Sequence, residues 1–423
     1  MQRILTAIAV TLLTLPLGAH SVPVGKADDV GLSAERLKRI NHLVQRYIDA
    51  REISGAVTVV ARRGRIAHFE AQGQMDVEAK TPMRKAAVFR IASMTKPVTA
   101  VAILMLIEEG SLRLSDPVSR FIPEFKNTQV AMARTVAGPA PPIPPGAPPR
   151  TPETYLVPAT RDVTVRDLLT HTSGLQTGGI GTRESVRIAP RNTADTLAVH
   201  IPKLGSAPLD FQPGTMWRYS ALAGIDTLGR IVEVAAGQTF DRFLQDRIFG
   251  PLGMKDTMFV PTADRLARAV TLYERTPEGL RREDTPAWLS TKTLFSGGGG
   301  LWTTAEDYLQ FAQMLVNGGD LDGVRLLSPR TVDLMSANQV GDLYMGTSGT
   351  IRGMGFGLTV EVVLDPITAD VRKSAGSFGW GGVFGTHFWV DRKEQLTALL
   401  MIQTLSATLR RDFENAVMQA IVD

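Results

Sequence analysis

Residues 89–109 read FRIASMTKPVTAVAILMLIEE, and this stretch places Ser93 and Lys96 three positions apart at the start of a long apolar run. Positions 98–109 are apolar with a charged end, and Gly110 follows them. That pattern predicts a helix over 98–109 that ends at the glycine. Because residues three apart share one face of a helix, the Ser93 hydroxyl and the Lys96 amine are expected to meet.

A serine–lysine pair of this kind is a candidate nucleophile with its base. A serine hydroxyl attacks poorly until a neighbouring group takes its proton. An amine can take that proton only when it is neutral, and burial and the positive end of a helix dipole both favour the neutral form. The apolar neighbours Ile91, Ala92 and Met94 predict dry surroundings. Taken alone, the short pattern also fits a helix-initiating serine beside a surface lysine, so other features must decide.

The composition of the whole chain narrows the chemistry. Its 423 residues include no Cys, which excludes a disulfide scaffold, a Cys-ligated metal site and a cysteine nucleophile. The hydrophobic share of 44% and the charged share of 21% are those of a folded globular protein. The net charge of +4 is spread without a Lys/Arg block, which argues against a nucleic-acid partner. A small-molecule substrate and an oxygen or amine nucleophile are expected instead.

The N-terminus has the features of an export signal. Arg3 supplies a positive charge, residues 4–15 form an uncharged run, and small residues stand at Ala19 and Ser21. The run is shorter than the ~20 apolar residues that a membrane span needs, and no Cys follows it for a lipid anchor. We therefore expect a signal peptide at 1–21 and an exported protein, periplasmic or secreted, without a stable membrane anchor.

Strand patterns lie near both ends of the chain, with helical patterns mainly between them. The predicted strands are at 55–61, 65–70, 385–390 and 396–403, and the predicted helices are at 34–50, 98–109, 164–175, 193–200, 220–236, 304–316 and 406–422. This order predicts an α/β (α+β) fold with one sheet subdomain from 28–90 plus 285–423 and an inserted, mainly helical subdomain at 91–284. Residues 138–149 hold seven prolines and are interpreted as an exposed linker or insertion, in preference to a functional lid.

Residues 89–96 with the apolar helix that follows resemble the active-site segment of the serine β-lactamase and penicillin-binding-protein superfamily. More narrowly, they are similar to class C β-lactamases and to family VIII carboxylesterases. Further segments agree with that family in order and spacing: LLTHTSGL at 168–175, FQPG and WRYS at 211–214 and 217–220, SGGGGL and TTAED at 296–301 and 303–307, and WGG at 380–382. The resemblance implies a β-lactamase-like antiparallel sheet flanked by helices, in one serine hydrolase domain over 28–423.

The resemblance also implies a role for each residue that matches a family motif. Ser93 is expected to be the acylated nucleophile, with Lys96 as its proton partner. Tyr219 is expected to complete the base system, passing a proton to the leaving group and activating water for deacylation. The backbone N–H groups of Ser93 and Val383 are expected to form the oxyanion hole. Ala221 departs from the pattern, because β-lactamases carry there an asparagine that contacts the acylamido group of a β-lactam.

A second departure lies in the third motif, which β-lactamases and peptidases begin with Lys or His and often follow with a hydroxyl. Trp380, Gly381 and Gly382 supply neither, and WGG is the version seen in family VIII esterases. We expect these residues to bind a neutral acyl or alcohol group, with the glycines letting the strand approach the substrate closely. Lys373 or Arg372 on a nearby loop could restore a positive charge there.

Three functions compete at this point. The preferred hypothesis is a carboxylesterase that cleaves short-chain esters through an acyl-enzyme. The alternative from the same superfamily is a β-lactamase or a D-alanyl-D-alanine peptidase acting on cell-wall-like peptides. The third is a non-catalytic penicillin-binding-like receptor, and the joint presence of Ser93, Lys96 and Tyr219 argues against it.

Other catalytic classes lack their sequence signals. No serine lies in a Gly-x-Ser-x-Gly pattern, which argues against an α/β-hydrolase. No histidines have the spacing of a zinc pair, and no Lys-Ser/Thr follows the glycines at 297–300 as in a phosphate loop. We therefore expect no metal and no cofactor. His171 is expected to order a loop rather than to take part in the chemistry.

Overall fold

The structure is a computed structural model that describes residues 21–134, 153–289, 292–344, 346 and 351–423. The predicted signal peptide, apart from its last residue, and the proline stretch at 138–149 lie outside the described residues. The α-helices are α1 (Ala34–Asp49), α2 (Thr95–Glu108), α3 (Val165–Leu169), α4 (Ile180–Ile188), α5 (Leu197–Gly205), α6 (Ala223–Ala236), α7 (Phe240–Leu244), α8 (Ala263–Leu266), α9 (Ala305–Val316), α10 (Pro329–Met335) and α11 (Ala407–Met418). None of these helices is long and apolar enough to cross a membrane.

Strands occur at both ends of the chain and as short hairpins between them. They are β1 (Gly55–Arg62), β2 (Arg65–Asp76), β3 (Thr81–Pro82), β4 (Phe89–Arg90), β5 (Gln129–Ala133), β6 (Thr154–Pro158), β7 (Leu272–Thr276), β8 (Gly279–Glu283), β9 (Trp302–Thr303), β10 (Asp320–Leu321), β11 (Val324–Arg325), β12 (Met354–Phe356), β13 (Glu361–Val363), β14 (Phe378–Gly381), β15 (His387–Asp391) and β16 (Leu396–Met401). Single 3-10 turns lie at Asp28–Val30, Ala92–Met94, Val118–Arg120, Pro123–Phe125, Ala287–Leu289 and Gly341–Leu343, and one π turn lies at Gln245–Phe249.

The large sheet joins the two ends of the chain. Its strand order within the described residues is β12-β13-β14-β15-β16-β1-β2-β3, and every pair is antiparallel. The N-terminal strand β1 pairs with β16, so that Val57 lies opposite Met401 and Arg62 opposite Leu396. The predicted fold class is confirmed: an antiparallel sheet from both chain ends is combined with a mainly helical middle.

Helices cover both faces of this sheet, and alternate residues of β1 reach the two cores. Val57 and Val59 lie in the core that contains α2 and α9, whereas Ala56 and Val60 lie in the core that contains α1 and α11. A strand buried on both faces needs no polar side, which explains why β1 is apolar from Gly55 to Ala61 apart from Thr58. The sheet, which also carries the third motif, is therefore held in place by helices packed on both of its faces.

Helix α2 runs through the larger core, and its residues are all buried as far as Leu106. It begins at Thr95, three residues before the predicted start. Pro97 is tolerated there because the N–H groups of a first helical turn have no partner within the helix. A 3-10 turn leads into α2, so Ser93 lies just before the helix and Lys96 lies in its first turn.

Some sequence-based assignments need revision. The helix predicted at 164–175 is the shorter α3. The helix predicted at 193–200 is α5, which begins at Leu197 because the Thr196 side chain caps it by accepting from the backbone N–H of Val199. The third motif does precede a strand, β15, but Trp380 and Gly381 also form the end of strand β14, which the sequence did not predict. The sequence around them is rich in glycine and lacks the alternating pattern that reveals a strand.

Candidate active site

Ser93 is presented by a constrained turn. Ala92, immediately before it, has a φ of +43°, in the left-handed region that residues other than glycine seldom adopt. Ile91 holds the turn, because its N–H donates to the Leu301 carbonyl (3.1 Å) and its own carbonyl accepts from the N–H of Met94 (3.0 Å). Backbone strain of this kind persists only where the surroundings enforce it, and it is frequent at functional sites.

Two proton-carrying groups converge on the Ser93 hydroxyl. Tyr219 Oη donates a hydrogen bond to Ser93 Oγ over 2.7 Å. Lys96 Nζ donates to the same oxygen over 3.1 Å. The structure thus brings together three residues that sequence reasoning had singled out, although Tyr219 is 126 positions from Ser93. A hydroxyl with an amine and a phenol in direct contact is equipped for nucleophilic attack with proton transfer.

Lys96 is buried and held by backbone carbonyls. Its Nζ donates to the carbonyls of Ala221 and Gly298, both over 2.6 Å, in addition to Ser93. A Cβ on Gly298 would lie 2.8 Å from Leu222 Cα, so only glycine lets this backbone come so close. The glycine run thus serves to deliver a carbonyl to the buried amine.

His171 packs against the base system instead of contacting the nucleophile. Its ring centroid lies 4.7 Å from that of Tyr219, and its Nδ1 accepts a hydrogen bond from the backbone N–H of Ser220 over 3.2 Å. Burial, together with the nearby charge of Lys96, holds the pKa of His171 well below its ordinary value. The neutral imidazole therefore orders the segment that carries Tyr219, which is the kind of role the sequence suggested.

The third motif reaches the same point from strand β14. Trp380 Nε1 donates to Tyr219 Oη over 3.4 Å, and the indole is nearly buried. A Cβ on Gly382 would lie 2.4 Å from Thr386 Oγ1 and 2.5 Å from the Ile91 carbonyl oxygen, so a larger residue cannot fit. The end of β14 is thereby packed directly against the turn that presents the nucleophile.

Two further motif positions complete the edge of the site. Gly381 is the last residue of β14 and pairs with His387 of β15. Val383 follows in the turn, with 53% of its side chain exposed. Within the described part of the chain, its backbone N–H has no hydrogen-bond acceptor. A free N–H next to a strand end is the type of group that stabilises an oxyanion.

A family comparison decides the identity of this arrangement. The family model described as Beta-lactamase matches residues 40–422, which include every site residue above. The chain belongs to the β-lactamase family. Nearly the whole described fold, including the sheet and the helices around Ser93, falls within the match.

Individual relatives of this β-lactamase-family protein include esterases. An uncharacterized protein of Mycobacterium tuberculosis is 37% identical over 374 residues, which cover 85% of this chain and 88% of the relative. Esterase EstB of Burkholderia gladioli is 32% identical over 397 residues, with 88% and 91% covered. The solved structure of EstCE1, a hydrolase with promiscuous acyltransferase activity, has a TM-score of 0.75 and 27% identity, covering 91% of this chain and 99% of that one. Family and relatives together identify a serine hydrolase.

The charged side chains near the third motif of this β-lactamase-family site already have ion-pair or hydrogen-bond partners. Lys373 is buried, and its Nζ lies 3.1 Å from a carboxylate oxygen of Glu414. Arg372 donates to the side-chain oxygen of Asn415. Arg410 approaches Gly381, but its guanidinium nitrogens lie 3.6 Å from carboxylates of Glu361 and of Glu414. The expectation of a free cation is therefore wrong for Lys373, whose charge Glu414 neutralises, whereas Arg372 is held by a neutral amide on the same helix α11.

Glu414 gives this cluster a dependence on pH. Burial raises the pKa of its carboxyl, but the charge of Lys373, a hydrogen bond to His387 and the charge of Arg410 lower it further, to well below its ordinary value of 4.5. Burial lowers the pKa of His387 to about 4. The stabilisation from Glu414 is thus complete above pH 4.5 and is lost as the pH falls, while protonation of His387 opposes folding below its ordinary value of 6.5.

Glu414→Gln is expected to lower the free energy of unfolding by about 3–5 kcal/mol at pH 7, because it leaves Lys373 buried without its counter-charge. Between pH 5 and pH 3, the variant should lose less stability than the wild type, since it has no carboxylate to protonate. Urea unfolding followed by tryptophan fluorescence measures both effects. Glu124→Gln, at an exposed glutamate, is the matched control and should change stability by at most about 0.5 kcal/mol. Equal stability of Glu414→Gln and wild type at pH 7 and at pH 3 would contradict a stabilising role for the Glu414 carboxylate.

Asp226 is a site residue that sequence reasoning missed. It is fully buried on α6, where it accepts from Ser296 Oγ over 2.7 Å and from the Gly298 N–H over 2.9 Å. Arg191 neutralises it through an ion pair of 2.7 Å. Asp226 therefore holds Gly298, whose carbonyl accepts a hydrogen bond from Lys96. An aspartate within the otherwise uncharged stretch 220–229 of a predicted helix was the available signal.

Other parts of the described residues offer no second site of comparable chemistry. They contain no group of three or more His, Asp or Glu side chains placed to hold a metal ion. A hollow of about 560 Å³ lies between the N-terminal arm, α1 and β2, and its lining includes Leu37, Ile66 and His68. Its lining contains neither Ser93 nor Lys96 nor Tyr219. The candidate site is therefore the region around Ser93, between the glycine run and the end of β14.

Proposed function

We propose that this protein is a carboxylesterase that hydrolyses neutral, short-chain esters through a covalent Ser93 acyl-enzyme. The observation that carries the proposal is the convergence of Tyr219 Oη and Lys96 Nζ on Ser93 Oγ, at 2.7 and 3.1 Å. Its second support is that Trp380 lies beside Tyr219, at the position where a cation would be expected in a peptidase. The similarity to esterase EstB points in the same direction.

Acylation uses the three residues as one unit. Ser93 Oγ forms a bond to the ester carbonyl carbon, while its proton passes to the Lys96–Tyr219 pair. The bond between the carbonyl carbon and the alcohol oxygen then breaks. The pair returns the proton to the departing alcohol, and Tyr219 is the group placed to deliver it because its hydroxyl touches the reacting oxygen.

Deacylation reverses the roles. A water molecule adds to the carbonyl carbon of the acyl-enzyme and gives a proton to the same Lys96–Tyr219 pair. The bond to Ser93 Oγ breaks, the oxygen recovers a proton, and the carboxylic acid leaves. In both steps the carbonyl oxygen becomes negative, and the N–H groups of Ser93 and Val383 are the proposed donors that stabilise it.

The choice of ester over β-lactam or peptide rests on missing polar partners. Ala221 offers only its backbone carbonyl, which is occupied by Lys96. Trp380 offers an indole, and the nearby cations Lys373 and Arg372 have partners on α11. A β-lactam or a D-alanyl peptide would place its carboxylate beside the Trp380 indole, at the position where a peptidase has a cation, and this costs binding energy. A neutral ester avoids that cost.

The purified protein is expected to turn over p-nitrophenyl butyrate at least about tenfold faster than nitrocefin, compared as kcat/KM. The physical reason is the loss of carboxylate and acylamido recognition described above. Release of nitrophenolate and opening of the lactam are both followed by absorbance in the same buffer. Dominant nitrocefin hydrolysis would favour the β-lactamase alternative, and cleavage of a D-Ala-D-Ala peptide alone would favour the peptidase.

We further propose that the protein is exported after removal of residues 1–21. The uncharged run at 4–15 and the small residues at Ala19 and Ser21 support this proposal. In a Gram-negative host, N-terminal sequencing of the mature protein is expected to start at Val22, in the periplasmic fraction. Active full-length protein confined to the cytosol would contradict it.

A further inference from the structure

A half-buried aromatic pair, Trp288 and Phe384, stands beside the nucleophile and takes no part in the proposed proton transfers. Trp288 lies in a 3-10 turn at Ala287–Leu289, and Phe384 lies in the turn after β14. The two rings are stacked, with centroids 6.0 Å apart and planes inclined by 11°. Because the rings come from segments about 100 positions apart, each one braces the other in place.

The indole occupies space that the glycine run leaves open. A Cβ on Gly299 would lie 3.1 Å from Trp288 Cζ3 and 3.4 Å from Leu222 Cδ2. The same position is 3.7 Å from the carbonyl carbon of Ala92, the residue before the nucleophile. The edge of the indole therefore borders the turn that presents the nucleophile, on the side of the glycine run.

Phe384 is linked to the same turn through Gly382. It lies two residues after Gly382, which packs against the Ile91 carbonyl. It also follows Val383, which has a largely exposed side chain and a backbone N–H proposed for the oxyanion hole. Gly299 and Gly382 thus both pack against the turn from Ile91 to Ser93. The stacked Trp288 and Phe384 rings connect the segment before the glycine run with the turn after β14.

We infer that the Trp288–Phe384 pair is the wall of the acyl pocket and limits the length of the acyl chain. This inference rests on the proposed esterase function. The departing alcohol must lie beside Tyr219, which protonates it, so the acyl chain takes the remaining side, along the aromatic pair. The side chains offered there are apolar: Leu222, Trp288, Val383 and Phe384. An apolar wall accepts a hydrocarbon chain and excludes a longer one by steric contact, with discrimination of about 10–200-fold for a methylene.

Trp288→Ala and Phe384→Ala are the two variants that test the wall. Each is expected to raise the ratio of kcat/KM for p-nitrophenyl octanoate to that for p-nitrophenyl acetate by at least about tenfold over wild type. Trp288→Phe keeps an aromatic ring and is the matched control, with a ratio within about threefold of wild type. A second series of methyl, ethyl and butyl butyrates, followed by acid release, should show unchanged alcohol preference in all variants.

The outcomes separate this inference from the proposed function. If both alanine variants melt as folded proteins and keep the wild-type octanoate-to-acetate ratio, the wall is wrong while the esterase assignment stands. If the variants change only the preference among the methyl, ethyl and butyl butyrates, the inference is also wrong, because the aromatic pair would then face the leaving alcohol. If the wild type hydrolyses no ester of either series, the proposed function itself fails.

Discussion

Ser93→Ala is expected to lower kcat/KM for p-nitrophenyl butyrate by at least about 10³-fold, the largest single effect that the site predicts. The substitution removes the oxygen on which Tyr219 and Lys96 converge, so no acyl-enzyme can form. Residual hydrolysis can then come only from the oxyanion donors and from binding. The rate is measured from nitrophenolate release with enzyme purified to the same level as wild type.

The control for this variant is Ser115→Ala, which removes an exposed hydroxyl elsewhere in the chain. It should keep the wild-type rate to within about twofold. Both variants should retain the wild-type thermal midpoint, because Ser93 and Tyr219 are only half-buried, so that water can replace the lost oxygen, and Lys96 keeps its two carbonyl acceptors. A folded Ser93→Ala protein with more than a tenth of the wild-type rate would show that another residue is the nucleophile.

Tyr219→Phe is expected to lower kcat by about 10²–10⁴-fold, the range that general acid–base groups contribute. The ring stays in place, since its packing against His171 and Trp380 needs no hydroxyl. Only the oxygen 2.7 Å from Ser93 Oγ is lost, and with it the proposed proton route to the alcohol. Because substrate contacts are kept, KM should change far less than kcat.

Tyr155→Phe is the matched control for the phenol. Tyr155 lies on β6 with 43% of its surface exposed, and the loss of its hydroxyl should leave kcat within about twofold of wild type. Steady-state kinetics with p-nitrophenyl butyrate are sufficient to compare the two variants. A wild-type kcat for Tyr219→Phe would remove this residue from the mechanism and leave Lys96 as the only proton carrier.

The sequence predicts the nucleophile region because its signals are local. The apolar run after Lys96 marks α2, and Thr304 marks the start of α9, whose end at Val316 agrees with the predicted helix at 304–316. α2 is a mostly apolar run that ends before Gly110, and Thr304 caps α9 by accepting from the backbone N–H of Asp307. The hairpin of β1 and β2 can also be predicted from a local signal, the turn at Gly64 between the two predicted strands.

Strands of the C-terminal half were harder to predict because they are short. β12 and β13 have three residues each, and β14 has four, of which two are glycine. Segments of that length have no measurable period, and only pairing in the sheet makes them strands. The position of Trp380 within β14 therefore follows from its neighbours β13 and β15 and not from its own sequence.

The contacts that shape the site are long-range, which explains what sequence reasoning missed. Asp226 supports Gly298 from 72 positions away, and the Lys373 amine is paired by a carboxylate on α11. No local pattern reports such pairs. The local sequence suggested a free cation near the third motif, whereas the tertiary structure pairs the Lys373 amine with Glu414 and brings the Trp380 indole to Tyr219.

Peptide mapping of a covalent phosphonyl adduct most directly tests the central claim, which is that Ser93 is the nucleophile. The mature protein is treated with a fluorophosphonate, digested and analysed by mass spectrometry, with Ser93→Ala treated in parallel. The account predicts one stoichiometric phosphonyl adduct on the peptide that contains Ser93, full loss of esterase activity with its formation, and no adduct in the variant. An adduct on another residue, or inactivation that still labels the Ser93→Ala protein, would contradict it.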